Sequence, residues 1–325
     1  MVDLFLGLIL IYLLFKGLQL LVRGISWCVK KFWIWLSKGE KAETKEGSSG
    51  KLTGAYTDEE SRELLDELDK AKKKSVLKKT REDREREAHL RKLYETKRDQ
   101  FLDEVKVGWY QMVVIFLGGS VLGLILEQVW MLITAGLTES RVGLVWGPFS
   151  PLYGFGAALV TAACLVMRKK HAKPWQIFLV SAVVGGLLEQ VTGWGMEVLF
   201  HAQSWSYAHL PDAITKWVAW RFLFFWGLLG LIWSYVIAPE LIYRIGRPTT
   251  KRQILFVALV ALYLGADIWM TLQCFSRKTA RDAGIEANSS FEEWIDEHYD
   301  DEFIAGRFQN LVISEVTDGV KRNNS

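Results

Sequence analysis

Arg141-Val142-Gly143-Leu144-Val145-Trp146-Gly147-Pro148-Phe149-Ser150-Pro151-Leu152-Tyr153-Gly154-Phe155-Gly156-Ala157 is the stretch whose reading decides the fold. Two prolines and four glycines interrupt the backbone where one apolar segment ends and the next begins. Broken backbone at a membrane surface persists only where protein or water satisfies its polar groups. Flanked by apolar segments that carry single Glu, Arg or Asp residues, the stretch reads as the entry loop of a multi-pass membrane protein.

Composition agrees. Half of the 325 residues are hydrophobic, 15 are Trp, and the apolar residues fall in long blocks. Blocks of that length mark an integral membrane protein whose first partner is the lipid bilayer. The net charge of +3 is small and implies no nucleic-acid role. Cys28, Cys164 and Cys274 are far apart and form no metal or redox spacing, so they read as small apolar packing residues.

In chain order, Leu4 to Val22 is a first apolar segment, expected to span the membrane, with a helix lying on its surface as the alternative. Trp27, Trp33 and Trp35 follow as an interfacial anchor, so residues 1–38 form an N-terminal membrane piece. Residues 39–106 hold a polar linker and a densely charged helical arm, a hairpin or a single helix. Thr57 and Glu60 open it as a capping box, and Asp66/Lys70, Asp69/Lys73, Glu82/Arg86 and Glu87/Arg91 lie at four-residue spacing. A solvated spacer is the plain reading of the arm, and partner binding the sharper one.

Residues 107–275 contain five further apolar segments: Val107–Leu137, Pro151–Met167, Trp175–Phe200, Trp217–Ala238 and Ile254–Phe275. The fold class expected is therefore an all-α polytopic membrane protein with about six transmembrane helices. Residues 276–325 form an acidic tail in which Ser290 and Glu293 mark another capping box. Basic clusters at Lys30–Lys38, Arg168–Lys173 and Arg244–Arg252 belong in the cytoplasm. That places the Arg141 loop, the His201–Lys216 loop and both termini outside, against the contrary signal of Arg277, Lys278 and Arg281.

An internal repeat organises the core. Gly123-Leu124-Ile125-Leu126-Glu127-Gln128-Val129 aligns with Gly185-Gly186-Leu187-Leu188-Glu189-Gln190-Val191, and Gly154-Phe155-Gly156 lies beside Gly227-Leu228-Leu229-Gly230. The expected core is four helices in two repeated hairpins related in parallel. Gly119, Gly123 and Glu127 share one helix stripe, as do Gly185, Glu189, Gly193 and Glu197. Small residues let membrane helices approach closely, so the stripe turns its carboxylates toward protein. An unpaired charge near the bilayer centre costs about 2.5–3.5 kcal/mol. The candidate binding residues are thus the acids Glu127, Glu189, Glu197 and Asp267 with their basic partners Arg141 and Arg221. Trp146, Pro148, Pro151, Tyr153, Trp205 and Tyr207 are the candidate roof or gate. The plainer alternative is an Arg–Glu network that only fastens helices.

Spacing supplies no metal set around His201 and His209, no cofactor motif, no hydrolase signature and no P-loop, so neither catalysis nor ATP binding is expected of these residues. The run Trp146-Gly147-Pro148-Phe149-Ser150-Pro151-Leu152-Tyr153-Gly154-Phe155-Gly156, with Gly123…Glu127, Trp205-Ser206-Tyr207, Arg221 and Phe225-Trp226-Gly227-Leu228-Leu229-Gly230, resembles the bacterial ABC-transporter permease family called CmpB-like or type IV. The resemblance covers roughly Tyr110 to Asp267. Ser150 stands where that family usually has Cys, and Val218, Ala219 and Trp220 replace its Asn-Gly. The resemblance implies a permease of the bacterial plasma membrane, with a separate ATPase chain or other membrane subunit as partner. The function expected is transport of a small polar or charged solute. A membrane scaffold or sensor that recruits a partner through the charged arm is the alternative, and an intramembrane enzyme ranks last.

Overall fold

The computed structural model describes residues 26–38, 53–73 and 79–313. The expected first span at Leu4 to Val22 lies outside these residues. Described helices are α1 (26–37), α2 (Glu59–Lys73), α3 (Arg81–Glu104), α4 (Trp109–Ala135), α5 (Pro151–Lys169), α6 (Pro174–Phe200), α7 (Trp220–Ile232), α8 (Ala238–Ile245), α9 (Lys251–Asp282), α10 (Ser290–His298) and α11 (Asp301–Arg307). Two two-residue strands, β1 (Ala202–Gln203) and β2 (Val312–Ile313), pair antiparallel. Among the described residues, five helical stretches are long and apolar enough to cross a membrane: Trp109–Ala135, Pro151–Lys169, Pro174–Phe200, Trp220–Ile245 and Lys251–Asp282. The protein is an all-α polytopic membrane protein.

The chain divides into two units, one from residues 1–106 with 242–256, the other from 107–241 with 257–325. In the first, the charged arm is not a solvated spacer. Leu65, Leu68, Leu90, Tyr94, Phe101 and Leu102 are buried, and the rings of Tyr94 and Phe101 pack on Tyr243 at 5.4 and 5.5 Å. Trp33 of α1 donates its indole N–H to the Ile245 carbonyl at 3.2 Å. Of the ion pairs expected along the arm, Glu87–Arg91 forms at 3.7 Å, and the Lys73 side chain lies outside the described ones. Asp66 instead pairs with Lys30 and Arg86 with Glu67, because neighbouring helices offer closer partners. The Asp58 carboxylate caps α2 through the Ser61 amide at 2.8 Å, displacing the expected Thr57 box by one residue.

In the second unit α4 packs on α5, α6 on α7, and α5 on α6, giving the two hairpins. Pro151 and Pro174 start α5 and α6, where a missing N–H leaves no bond unmade. Gly136 ends α4 in the left-handed conformation at φ 66°. A π-helical turn, Trp233–Ile237, leads from α7 into α8 just before Pro239, whose ring could not continue an α-helix without displacing a carbonyl. Exposed Leu126, Val129 and Ile133 of α4, Val183, Leu187 and Val191 of α6, and Leu259 and Leu262 of α9 form outward faces suited to lipid.

In the tail, α10 and α11 pack against α9 and the Arg141 loop. Ile295, Ile304 and Phe308 bury their side chains with Val145, Met270, Cys274 and Phe275 in one apolar cluster. Ser289, one residue earlier than expected, caps α10 by accepting the Glu292 amide at 3.2 Å.

Candidate functional site

The hairpins repeat their contacts as well as their sequence. A side chain added at Gly123 would overlap the Tyr153 ring, and one added at Gly185 would overlap the Trp226 indole. Phe116 lies against Gly154 as Phe178 lies against Gly227, and Gly119 faces Ala157 as Ser181 faces Gly230. Thr161 on α5 and Ser234 in the π-helical turn after α7, at matching places in the repeat, each donate a hydroxyl to the carbonyl four residues back at 2.6 Å. The glycines are thus seats for an aromatic ring from the next helix. The acid one turn further along meets the same ring: Trp226 Nε1 donates to Glu189 Oε1 at 3.0 Å, and Glu127 lines the cavity beside Tyr153. The two rings stack on one another with centroids 5.7 Å apart.

Where the hairpins meet there is a cavity of about 550 Å³. Glu127, Glu189, Arg141, Pro151, Tyr153, Trp205 and Tyr207 line it. Glu127 lies eight residues and Glu189 eleven from the helix ends at Ala135 and Phe200, so both carboxylates sit ~12–16 Å along the axis from the loop end. Arg141 reaches Glu127 at 3.8 Å and Glu139 at 3.5 Å, and its side chain is 11% exposed. Glu189 is 6% exposed, and its Oε2 has no hydrogen-bond partner among the described residues. Burial first, then the charges of Glu189 and Glu127, push the Tyr207 hydroxyl above the ordinary tyrosine range, so it stays protonated and able to donate.

Five of the sequence candidates do not line the cavity. Glu197, eight residues past Glu189, has turned about 80° around the helix. It pairs with Lys216 at 2.6 Å, both side chains open to solvent. Arg221 holds Asp212 at 2.7 Å within the loop that precedes α7, and that bond keeps the Asp212 carboxyl below the usual carboxylate range against a small opposing effect of burial. Asp267 is fully buried and accepts the Trp146 backbone N–H at 2.9 Å, which makes it an anchor for the loop. The Trp146 indole points to the Tyr299 hydroxyl at 2.9 Å, and Pro148 is exposed.

The loop backbone is satisfied by protein at almost every turn. Thr271 accepts the Val145 amide at 3.0 Å, and Gly143 donates to Phe149 at 2.8 Å. Arg307 of α11 donates to the Leu144 carbonyl at 3.0 Å and to that of Gly147 at 2.7 Å. Phe308, Asn310 and Leu311 continue from this latch into the cavity wall. Sequence reading missed these tail residues, since nothing local in an acidic tail signals a distant loop. Trp226 was within reach: aligning Gly154 with Gly227 places it on Tyr153. Among the described residues, no three His, Cys, Asp or Glu side chains converge as a metal set.

Comparison with known families meets this geometry in the same place. Residues 114–272 match the family described as "Putative ABC-transporter type IV". This is the family that the loop and the repeat resemble. The type IV match runs from α4 to the α9 turn that carries Asp267 and Thr271, covering both hairpins, the loop and all three charged cavity residues. Neither curated proteins nor solved structures gave a match. The family match and the apolar helices together support a membrane, transport-related protein.

Proposed function

We propose that the protein is a permease-type component whose cavity takes a small polar or charged solute, held by Glu127, Glu189 and Arg141. The observation that carries this reading is the cavity itself. Its volume lies in the range of ligand sites, and polar groups converge on it from both repeats and from the loop. Helix fastening alone would have closed such a space, since packed interiors leave few voids larger than a water molecule. The Lys/Arg bias supports a bacterial plasma-membrane protein with the loop end outside. The family's description supports a separate ATPase as partner, because these 325 residues carry no P-loop.

The test is thermal melting of the purified, detergent-solubilised protein against millimolar panels of small cations, anions and zwitterions. A solute that binds only the folded state raises the melting temperature. At least one class should do so with the native protein and fail with Glu127→Gln combined with Glu189→Gln. A flat response across all classes would refute the reading. The scaffold alternative draws on the exposed charges of α3, Arg81, Arg84 and Glu85 among them. It expects neutralising those three to release a co-purifying chain while leaving the acid variants without effect.

A further inference from the structure

Charge and wall chemistry narrow the solute further, and this step rests on the solute-binding reading above. Three lining residues carry charge: Glu127, Glu189 and Arg141. Arg141 is already shared between Glu127 and Glu139. Among the described residues, Glu189 has only the neutral indole of Trp226, on one of its two oxygens. Its other oxygen is buried without a partner among the described residues, on a side chain that lines the cavity. A carboxylate held so asymmetrically calls for a positive group from outside the chain.

The rest of the wall decides what kind of positive group. Three ring pairs line the same space: Tyr153–Trp226 and Tyr207–Phe222, stacked at 5.7 and 4.4 Å, and Trp130–Phe225, edge to face at 5.3 Å. Aromatic faces attract cations through their quadrupoles and exclude anions. A hard divalent ion such as calcium would need about six to eight oxygens around it and far less room. We propose that the cavity binds an organic monocation with an apolar body, an alkyl- or aryl-substituted ammonium or phosphonium, with its charge against Glu189 and its body among the three ring pairs. The duplicated acid, Glu127, is taken up by Arg141, so the two repeats, alike in backbone, differ in charge. That difference leaves room for one cation.

The experiment is titration of the purified protein with tetraphenylphosphonium and with tetraphenylborate, which share a shape and differ in charge, followed by quenching of tryptophan fluorescence. The phosphonium should bind saturably and the borate should not. Glu189→Gln, which keeps the apolar walls, should weaken phosphonium binding about thirty-fold or more, the scale of removing one member of a buried charge pair. Should that variant fail to fold, Tyr207→Leu, in a loop outside the spans, removes a ring and should weaken the phosphonium severalfold. Equal binding of both probes, or of the phosphonium to native and Glu189→Gln protein, would overturn the proposal. If anions or zwitterions shift melting while organic cations do not, the cation assignment falls and solute binding stands. If no class shifts it, both fall.

Discussion

Replacing Asp267 by Ala separates an anchor from a ligand. The carboxylate is fully buried and accepts the Trp146 N–H at 2.9 Å, while Thr271, one turn on, accepts the neighbouring amide of Val145. A hydrogen bond to a charged group contributes about 1.5–3 kcal/mol, and leaving the partner amide buried without an acceptor costs about 1–3 kcal/mol. The two overlap in one deletion, so the expected loss is about 3–4 kcal/mol. For a unit of this size each kcal/mol shifts melting by about 2–4 °C, giving a fall of about 6–16 °C. Asp267→Asn retains an oxygen for Trp146 and should lose about 1 kcal/mol, the difference between a charged and a neutral bond. The assay is melting of the two variants in detergent beside the native protein. Asp267→Ala melting within 1–2 °C of native, on that same scale, would refute the anchoring role. So would Asp267→Asn that melts normally but loses every ligand-induced shift, the result expected of a solute contact.

Arg307→Ala should free the loop, since one side chain holds the carbonyls of Leu144 and Gly147. An opening made easier by about 2 kcal/mol raises amide exchange at Val145 and Trp146 about thirty-fold, and unchanged exchange would count against the latch. Acid should undock the tail. The Arg277 hydrogen bond, helped by Arg281, holds the Asp296 carboxyl below its ordinary range. A depressed folded-state value means the stabilisation is complete above the unfolded carboxylate value of about 3.9 and fades as pH falls through the folded one. Exchange protection across residues 290–308 should therefore hold at neutral pH and fail at strongly acid pH, and Asp296→Asn should weaken that dependence while Asp301, held low against burial by Arg281 and Lys278, carries the rest; native protection that persists in strong acid would contradict it. Gly185→Ala should lower stability by about 1–3 kcal/mol because its methyl meets the Trp226 indole, while Gly195→Ala, with open space beside it, should be neutral or slightly stabilising. Equal melting of the two glycine variants would contradict the seating of Trp226.

Much of the core was legible because its signals are local and periodic. The Gly123…Glu127 and Gly185…Glu189 stripes declared both the repeat and the inward turn of the acids, since a residue four positions on shares a helix face. The same periodicity misled at Glu197, where eight residues of drift carried the side chain to Lys216. Arg221 and Asp267 were legible as charges within apolar segments, but their partners were not. Asp212 lies nine residues from Arg221, and the Trp146 amide is more than a hundred residues from Asp267.

By itself the sequence determined that the chain spans a membrane as helices, where those helices break, and that two hairpins are copies of one another. Length, hydropathy and small-residue spacing are enough for that, because in hydrocarbon a helix satisfies all of its backbone hydrogen bonds within one segment. Only the tertiary structure decided which charges share the cavity, that Arg141 goes to Glu127 and leaves Glu189 without a cation among the described residues, and that an acidic tail latches the loop through Arg307. Pairing between distant charges depends on a few ångströms of approach, and no spacing along the chain encodes that distance.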